Sequence, residues 1–575
     1  MILRKKDIKN IVDKAVDNLN LGDFDKSQII IVRPENKTFG FKYATNAPFV
    51  VAGKLKRNVR EIAELIKNEI EKIKNPEIEK IEAVGFINFY LTKDCFIDNL
   101  KNINKDSGRG EGLKNKKVIV DYTDPNILKE FHIGHLMSNA IGESLSRIFE
   151  FQGAKVKRVC YQSDVGLSVA KAVWGIMKMQ NNNFLKLGQY SKFLGMAYAF
   201  GSQMYEKDEA SKKEIIILNK KIFERSDKAV NKIYDQGKKW SLEYFNGLYK
   251  KLGTKFDYFI LESQVADLGK NIVEKGLKNG VFEKGEKGAI IFKGEKFGFH
   301  TRVFINSEGL PTYEAKDLGL AETKYKKYAY DESFIVTGNE VNEYFKVMLC
   351  AMDKINPGLA KKTKHVSHGM LRLPEGKMSS RTGKVITGEF LIEKVEELVK
   401  EKIRERELLE KEKTKIVEDV AIGAIKYSIL KQCIGSDIIY DFDKSISFDG
   451  DSGPYLQYSY ARAQSVLRKG KIEKVRASFR VVPIEITRLE KMIYDFEEII
   501  EEAGENYTSP QLIQPHIIAI YLTELAHEFN NYYAKNKIVD KEDKFSPYKI
   551  ALTNAFCMIM KNGMWLLGIN ALEKM

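Results

Sequence analysis

The sequence predicts a multidomain protein centred on a doubly wound, parallel-sheet α/β domain of the Rossmann type. That domain carries an inserted helical segment, follows a small α+β domain and precedes an all-helical region. Three observations lead there. The chain has 575 residues, too many for one hydrophobic core. The unbroken apolar run Val118 to Val120, then a turn, then helical periodicity is the pattern of a buried strand feeding a helix. From about residue 395 onward the composition turns helical.

The strand–turn–helix unit carries the first chemistry. Asp124-Pro125-Asn126 ends the strand, because proline lacks a donor N–H and Asp and Asn favour turns. Leu136, Ala140, Ile141, Leu145, Ile148 and Phe149 then recur at helical spacing up to the stop at Gly153. His132, Gly134 and His135 fall where that helix begins. A helix N-terminus presents unpaired N–H groups and a positive dipole end, so phosphate is its natural guest. Gly134 lets a planar base or ribose lie against the backbone. Two imidazoles three residues apart share a helical face and can donate to phosphate oxygens as charge grows on them. A zinc reading lacks neighbouring Cys or carboxylate ligands at suitable spacing. Far downstream, Gly376-Lys-Met-Ser-Ser-Arg-Thr-Gly383 is a short loop with two cations and two serine hydroxyls between glycines, preceded by Pro374. Such a loop can close over a triphosphate and follow its charge as pyrophosphate leaves, although alone it reads as a solvated turn.

Composition sets the compartment and partners. Hydrophobic content of 43% and a mean hydropathy of −0.33 are those of an ordinary soluble globular protein. No apolar run approaches membrane-spanning length, and Met1-Ile-Leu-Arg-Lys-Lys6 is followed by no apolar signal core; the expectation is a cytoplasmic protein with no membrane partner. The five cysteines, Cys95, Cys160, Cys350, Cys433 and Cys557, lie far apart, which fits reduced, mostly buried thiols and argues against structural zinc or a disulfide frame. A net charge of +15 and a pI near 9.1 suit nucleic acid, although a lysine-rich composition alone yields the same balance.

Residues 1–108 read as a separate α+β domain, with an amphipathic helix over Arg57–Lys74, an alternating strand over Gly85–Leu91, and a Gly/Lys/Asn-rich linker over 104–117. Residues 109–392 form the nucleotide-binding domain, with an insertion over about 175–290 whose methionines are packing residues. Asp121 ends the first strand, where ligands of doubly wound sheets bind. Ser163-Asp164-Val-Gly166, after the Val156–Tyr161 strand, is either a ligand-facing loop or a common turn. Tyr313 and Asp317 stand four apart on one helical face. Two carboxylates and a phenol suit a guanidinium, although Asp317 alone reads equally as a local cap or ion pair. His365–Leu371 reads as a strand running into the cationic loop. Residues 393–575 are the helical region. In it Glu401–Lys415 reads as one solvated face, and Ser447–Arg462 packs three tyrosines, Gln457 and Arg462 as either core aromatics or a base-stacking face. No internal repeat or low-complexity tail is evident.

Together, His132-Ile-Gly-His135 and Gly376–Gly383 resemble the two ATP-binding signatures of class I aminoacyl-tRNA synthetases. Pro311-Thr-Tyr313 with Asp317, and the Asp121…Pro125-Asn126 lead-in, resemble the arginyl branch. So do Tyr43–Phe49 with the Gly85 strand, Gly453-Pro-Tyr-Leu-Gln-Tyr458 and the ending Trp565–Met575. The resemblance implies arginyl-adenylate formation from L-arginine and ATP with Mg2+, then transfer to the 3′-terminal ribose of arginine tRNA, with tRNA bound before activation. It implies catalysis by His132, His135, Lys129 and Lys377, and ATP contacts from His132, Gly134, His135, Met370, Leu371, Lys377, Ser379 and Arg381. It places arginine against Asp121, Asn126, His132, Tyr313 and Asp317. It puts the tRNA D-loop on Asn46 and Phe49 of the N-terminal domain, and other tRNA contacts on Gly453, Tyr455, Gln457, Tyr458 and Arg462 of an anticodon-binding bundle. A monomer without structural zinc is expected. Val341 stands where the family often has Gln, Ser380 where it has a second Lys, and Lys549-Ile-Ala-Leu552 where it has Arg-Leu-Ala-Leu. A class I synthetase for another amino acid and a catalytically impaired tRNA-binding relative are the alternatives.

Overall fold

The structure, a computed structural model, describes residues 2–22, 25–34, 40–179, 189–374, 387–406, 409–505 and 513–575. The chain divides into two compact units, one of residues 1–108, 462–499 and 527–559, the other of 109–461, 500–526 and 560–575.

In the first unit, helices α1 (Lys5–Asn18), α2 (Ala47–Leu55), α3 (Val59–Ile73) and α4 (Lys93–Asn102) accompany strands β1 (Ile31–Val32), β2 (Tyr43–Thr45), β3 (Ile78–Val84) and β4 (Phe86–Leu91). The antiparallel order is β1-β2-β4-β3. The side chain of Asn58 caps α3 by accepting from the Arg60 N–H, and Ile62, Ala63, Ile66 and Ile70 form its buried stripe. The alternation expected for 85–91 is only partial: β4 is an interior strand, and Ile87, Asn88 and Phe89 are all buried. Residues 1–108 are also not closed on themselves. A helix from far downstream completes their core with Tyr494, the Arg4 guanidinium donates to the Tyr494 carbonyl at 2.5 Å, and Lys42 pairs with Asp495. Buried polar groups of the small domain need those partners, which local periodicity does not reveal.

The second unit holds the expected parallel sheet. Its strands are β5 (Lys117–Tyr122), β6 (Lys155–Gln162), β7 (Tyr258–Leu261), β11 (Glu332–Gly338) and β12 (Thr363–His368), in the order β12-β11-β5-β6-β7 and all parallel. Later strands are added to both sides of β5, so the topological switch falls between β5 and β11, and the crevice beyond their carboxyl ends is the binding position of such sheets. Helix α5 (Ile133–Phe151) lies close on β5, since a Cβ on Gly142 would come within 2.3 Å of the Tyr122 ring. Helices α6 (Leu167–Lys178), α7 (Tyr190–Lys207), α8 (Glu209–Glu224) and α9 (Lys228–Lys251) follow β6. The stretch 175–290 is thus not insertion throughout, because 258–261 is the sheet's edge strand β7; four residues are too few to read as a strand by periodicity. Helix α10 (Glu262–Lys278), a small antiparallel sheet of β8 (Glu283–Lys284), β9 (Ile290–Phe292) and β10 (Arg302–Ile305), and α11 (Tyr313–Lys327) lead to β11. Between β11 and β12 come α12 (Asn342–Ile355) and α13 (Pro357–Lys362).

Beyond β13 (Leu371–Arg372), the helices are α14 (Gly388–Lys402), α15 (Glu410–Leu430), α16 (Phe442–Ser445), α17 (Gly453–Ile472), α18 (Arg488–Gly504), α19 (Pro515–Lys535) and α20 (Ser546–Leu566), with β14 (Ile438–Ile439) paired to β13. The mixed-charge run 401–415 is not one helical face, since α14 ends and α15 begins inside it. Nor is 393–575 a single unit. Lys426 of α15, 2% exposed, donates to the carbonyls of Leu252 and Gly568 at 2.6 and 2.8 Å, and Ser144 of α5 donates to Leu566, so α15 and residues 560–575 belong to the sheet's unit, whereas 462–499 and 527–559 belong to the other. No helix among the described residues is long and apolar enough to cross a membrane.

Candidate active site

The loop from β5 to α5 is bent by three non-glycine residues with left-handed backbones, Thr123 (φ 82°), Asp124 (φ 42°) and Leu128 (φ 65°). Such conformations persist only where surrounding contacts hold them, and they gather at functional sites. The loop delivers His132 to the N-cap of α5, where the two histidines cap the helix reciprocally. The His135 N–H donates to His132 Nδ1 at 3.4 Å and the His132 N–H to His135 Nδ1 at 3.2 Å. The rings stack at 3.5 Å. Burial and the nearby Lys129 push the His132 imidazole down to about 4; burial, His132 and Lys129 hold His135 well below its ordinary value. Both rings are therefore neutral at pH 7. Because each Nδ1 accepts a backbone hydrogen, each proton sits on Nε2, which makes a pair of neutral donors at a helix N-terminus.

Residues 375–386, and with them Lys377, Ser379, Ser380 and Arg381, lie outside the described residues. Their flanks are placed. Thr387 bridges antiparallel to His132, and the Gly388 N–H donates to the Phe131 carbonyl at 2.7 Å. On the other side, Met370 N–H donates to Asp437 at 2.8 Å and β13 leaves the main sheet to pair with β14. The expected strand 365–371 is therefore broken at Gly369, where a Cβ would lie 2.1 Å from the Ser436 carbonyl oxygen. Met370 is exposed, whereas Leu371 is buried.

The second cluster is acidic. Asp121, wholly buried, has Oδ2 3.0 Å from Lys324 Nζ, while its Oδ1 has no hydrogen-bond partner among the described residues. Lys324 sits seven residues after Asp317 on α11, two turns along one face. Asp317 accepts from the Tyr344 hydroxyl, and burial pushes its carboxyl up to about 7. Asp124 accepts from the Tyr161 N–H at 2.8 Å; burial and Asp121 raise it well above the carboxylate range. The buried Tyr161 hydroxyl also has no hydrogen-bond partner among the described residues. Three carboxyls thus face one lysine, and Asp121 Oδ1 is an unmet acceptor among the described residues. That is an environment short of one cation rich in donors. Tyr313, 51% exposed, begins α11 one turn before Asp317, with Lys316 Nζ 4.4 Å from its ring centre.

A family model described as tRNA synthetases class I (R), catalytic domain, matches residues 99–442; an arginyl tRNA synthetase N terminal domain matches 6–91 and a DALR anticodon binding domain 456–575. The chain is 32% identical to an arginine–tRNA ligase of Borrelia hermsii over 99% of both chains. This chain belongs to the arginyl-tRNA synthetase family. A Clostridium perfringens arginine–tRNA ligase is 27% identical over 99% of this chain and 100% of its own. The fold is that of Thermus thermophilus arginyl-tRNA synthetase (TM-score 0.79, 21% identity, 100% of both chains) and of the Plasmodium falciparum enzyme (TM-score 0.77, 23% identity, 99% of both).

Several residues expected from the arginyl-tRNA synthetase pattern are placed otherwise. Asp164 is no ligand-facing group: it is buried and accepts from Lys238, Tyr234 and Ser263 at 2.7–2.9 Å, clamping the loop after β6 to α9 and α10. Tyr455 and Gln457 are buried, and Gln457 donates to the carbonyls of Asp419 and Asn570 at 3.1 and 2.9 Å, so neither offers a face to bases. Gly453 is a packing glycine, since a Cβ there would lie 2.3 Å from the Gly423 carbonyl oxygen. Tyr458 and Arg462 are half-buried, and Arg462 donates to Asn530 at 2.5 Å. Asn46 spends its amide on Ile30 and Gln28, whereas Phe49, 43% exposed, packs against exposed Phe86 with ring centres 4.8 Å apart and planes tilted by 51°. Asn126 is bridged to Ser163 at the crevice. Among the described residues no group of three or more His, Cys, Asp or Glu side chains is placed to hold a metal. Asp124, Tyr161, Lys324 and Tyr344 were missed. Only Lys324 left a sequence signal, its seven-residue spacing from Asp317 on one helical face.

Gly134 is the tightest point of the histidine pair, as a Cβ there would sit 3.0 Å from the His132 ring. Gly134→Ala should lower kcat about tenfold in ATP–pyrophosphate exchange by tilting that ring, with melting temperature nearly unchanged.

Proposed function

We propose that this chain activates L-arginine with ATP and esterifies it to arginine tRNA, through His132, His135, Lys129 and the acidic cup of Asp121, Asp124 and Asp317. The observation that supports this reading most is the buried, donor-hungry acid cluster at the end of β5, one loop away from two neutral imidazole donors at the start of α5. Arginine's guanidinium enters the cup, and Tyr313 closes its mouth. Its carboxylate oxygen attacks the α-phosphorus of ATP; the bond to the bridging oxygen breaks, and pyrophosphate leaves with the electron pair. ATP arrives as its magnesium complex, the ion held by phosphate oxygens and water. The Nε2–H groups of His132 and His135 donate to phosphate oxygens as charge accumulates, and Lys129 adds a fixed cation; Lys377 is assigned the same task from sequence alone. The terminal 2′-hydroxyl of tRNA then attacks the adenylate carbonyl and AMP departs.

The N-terminal domain meets the tRNA D-loop, with the exposed Phe49–Phe86 pair as its stacking surface, and the helical region reads the anticodon. The domains are 1–108, 109–392 and 393–575 by function, in a cytoplasmic monomer. The test is pyrophosphate exchange with each of the standard amino acids, with and without arginine tRNA. Exchange driven by arginine alone among them is the expected outcome. Exchange with another amino acid, or with none, would sink the assignment and favour one of the two rival readings.

A further inference from the structure

We infer that Tyr198, on the inserted helix α7, is a positioning residue that holds the Lys129 ammonium beside the histidine pair without neutralising it. Lys129 Nζ lies 4.2 Å from the centre of the Tyr198 ring. Among the described residues Lys129 makes no ion pair, although Glu130 is its neighbour in the chain. The distinction matters chemically. A carboxylate at that place would fix the lysine but cancel the charge that a polyphosphate needs; an aromatic face attracts the ammonium through its quadrupole and leaves the full charge in place.

The surroundings are built for this contact. The loop before α5 is gripped from two sides by inserted helices. On α7, one turn before Tyr198, Gly195 lies close against Glu130, since a Cβ there would come within 2.6 Å of the Glu130 carboxylate, which would have to shift. On α9, Ser241 Oγ accepts from the Leu128 N–H at 2.9 Å, and a Cβ on Gly237 would meet the Leu128 side chain at 2.3 Å. Leu128 itself has a left-handed backbone, a conformation that this grip stabilises. Electrostatics agree with the placement. Burial alone would raise the Tyr198 phenol, yet Lys129, with smaller contributions from Ser202 and Lys171, holds it below its ordinary value. The same lysine contributes to the depression of both imidazoles, so its field reaches the signature histidines.

The inference rests on the reading of Lys129 as a phosphate-facing cation, and the experiment separates the two. Pyrophosphate exchange by the full-length protein, with saturating arginine and tRNA, is measured for Lys129→Met, Tyr198→Phe, Tyr198→Leu and the Tyr198→Leu/Lys129→Met double variant. Tyr198→Phe keeps the ring face and should stay within about twofold of the parent in kcat. Tyr198→Leu should lose about 3- to 30-fold in kcat, the range that such contacts span from exposed to desolvated sites. The double variant should be no slower than Lys129→Met alone. Should the leucine replacement disturb folding, progressively fluorinated phenylalanines at 198 preserve the packing while draining the ring face; kcat should fall step by step along that series. A flat series, a leucine variant at parental kcat beside an impaired Lys129→Met, or losses that multiply in the double variant would each overturn the role of Tyr198. An unimpaired Lys129→Met would instead overturn the reading of Lys129 on which it stands.

Discussion

Asp317→Asn is expected to raise the KM for arginine by about two to three and a half orders of magnitude while leaving the KM for ATP within a few-fold. Removing one partner of a buried, hydrogen-bonded charge pair costs about 3–5 kcal/mol, because the remaining charge loses its compensation. The asparagine keeps the shape and can still accept from Tyr344, so the loss isolates charge from packing. The same residue sets a pH signature. Without ligand its carboxyl is pushed up to about 7 by burial and by the neighbouring acids; a bound guanidinium favours the ionised form and lowers it. Arginine binding should therefore release a proton near pH 6.5, seen as calorimetric heats that vary with buffer ionisation enthalpy, and affinity should weaken about tenfold per pH unit below that. For the ligand-free protein the sign is opposite. A carboxyl raised from 3.8 to about 7 contributes stability that is complete below 3.8 and is lost as pH rises through 7. Asp317→Asn should flatten that part of the stability profile. A parental KM for arginine in the variant would remove Asp317 from the substrate pocket.

His135→Ala should lower kcat for exchange by about a hundred- to a thousandfold, with KM for arginine nearly unmoved, as expected for a donor whose bond strengthens as charge builds on the phosphates. His132→Ala should do the same and also loosen the helix start, since each imidazole caps the other's backbone N–H. Because both rings are held neutral by burial and by Lys129, kcat should show no histidine titration between pH 6 and 8. A histidine-like inflection in that range would mean that the imidazoles work as imidazolium ions, contrary to the tautomer deduced from their Nδ1 contacts.

What the sequence determined alone was the local chemistry. Val118–Val120 reads as a strand, the residues from Leu136 to Phe149 as a helix, and His132, Gly134 and His135 as its start, because side-chain periodicity and turn residues act over a few residues and appear directly in the order of the chain. Tyr313 and Asp317 were legible for the same reason, four apart on one helix. What only the tertiary structure decided depended on contacts between distant segments: that Lys324 faces Asp121 across more than two hundred positions, that Tyr161 and Asp124 join the cup, and that Tyr198 of an inserted helix lies over Lys129. It also decided that Asp164, Tyr455 and Gln457 are interior groups. A buried glutamine and a base-reading glutamine have the same letter; burial and hydrogen-bond satisfaction tell them apart, and both are properties of the packed chain alone.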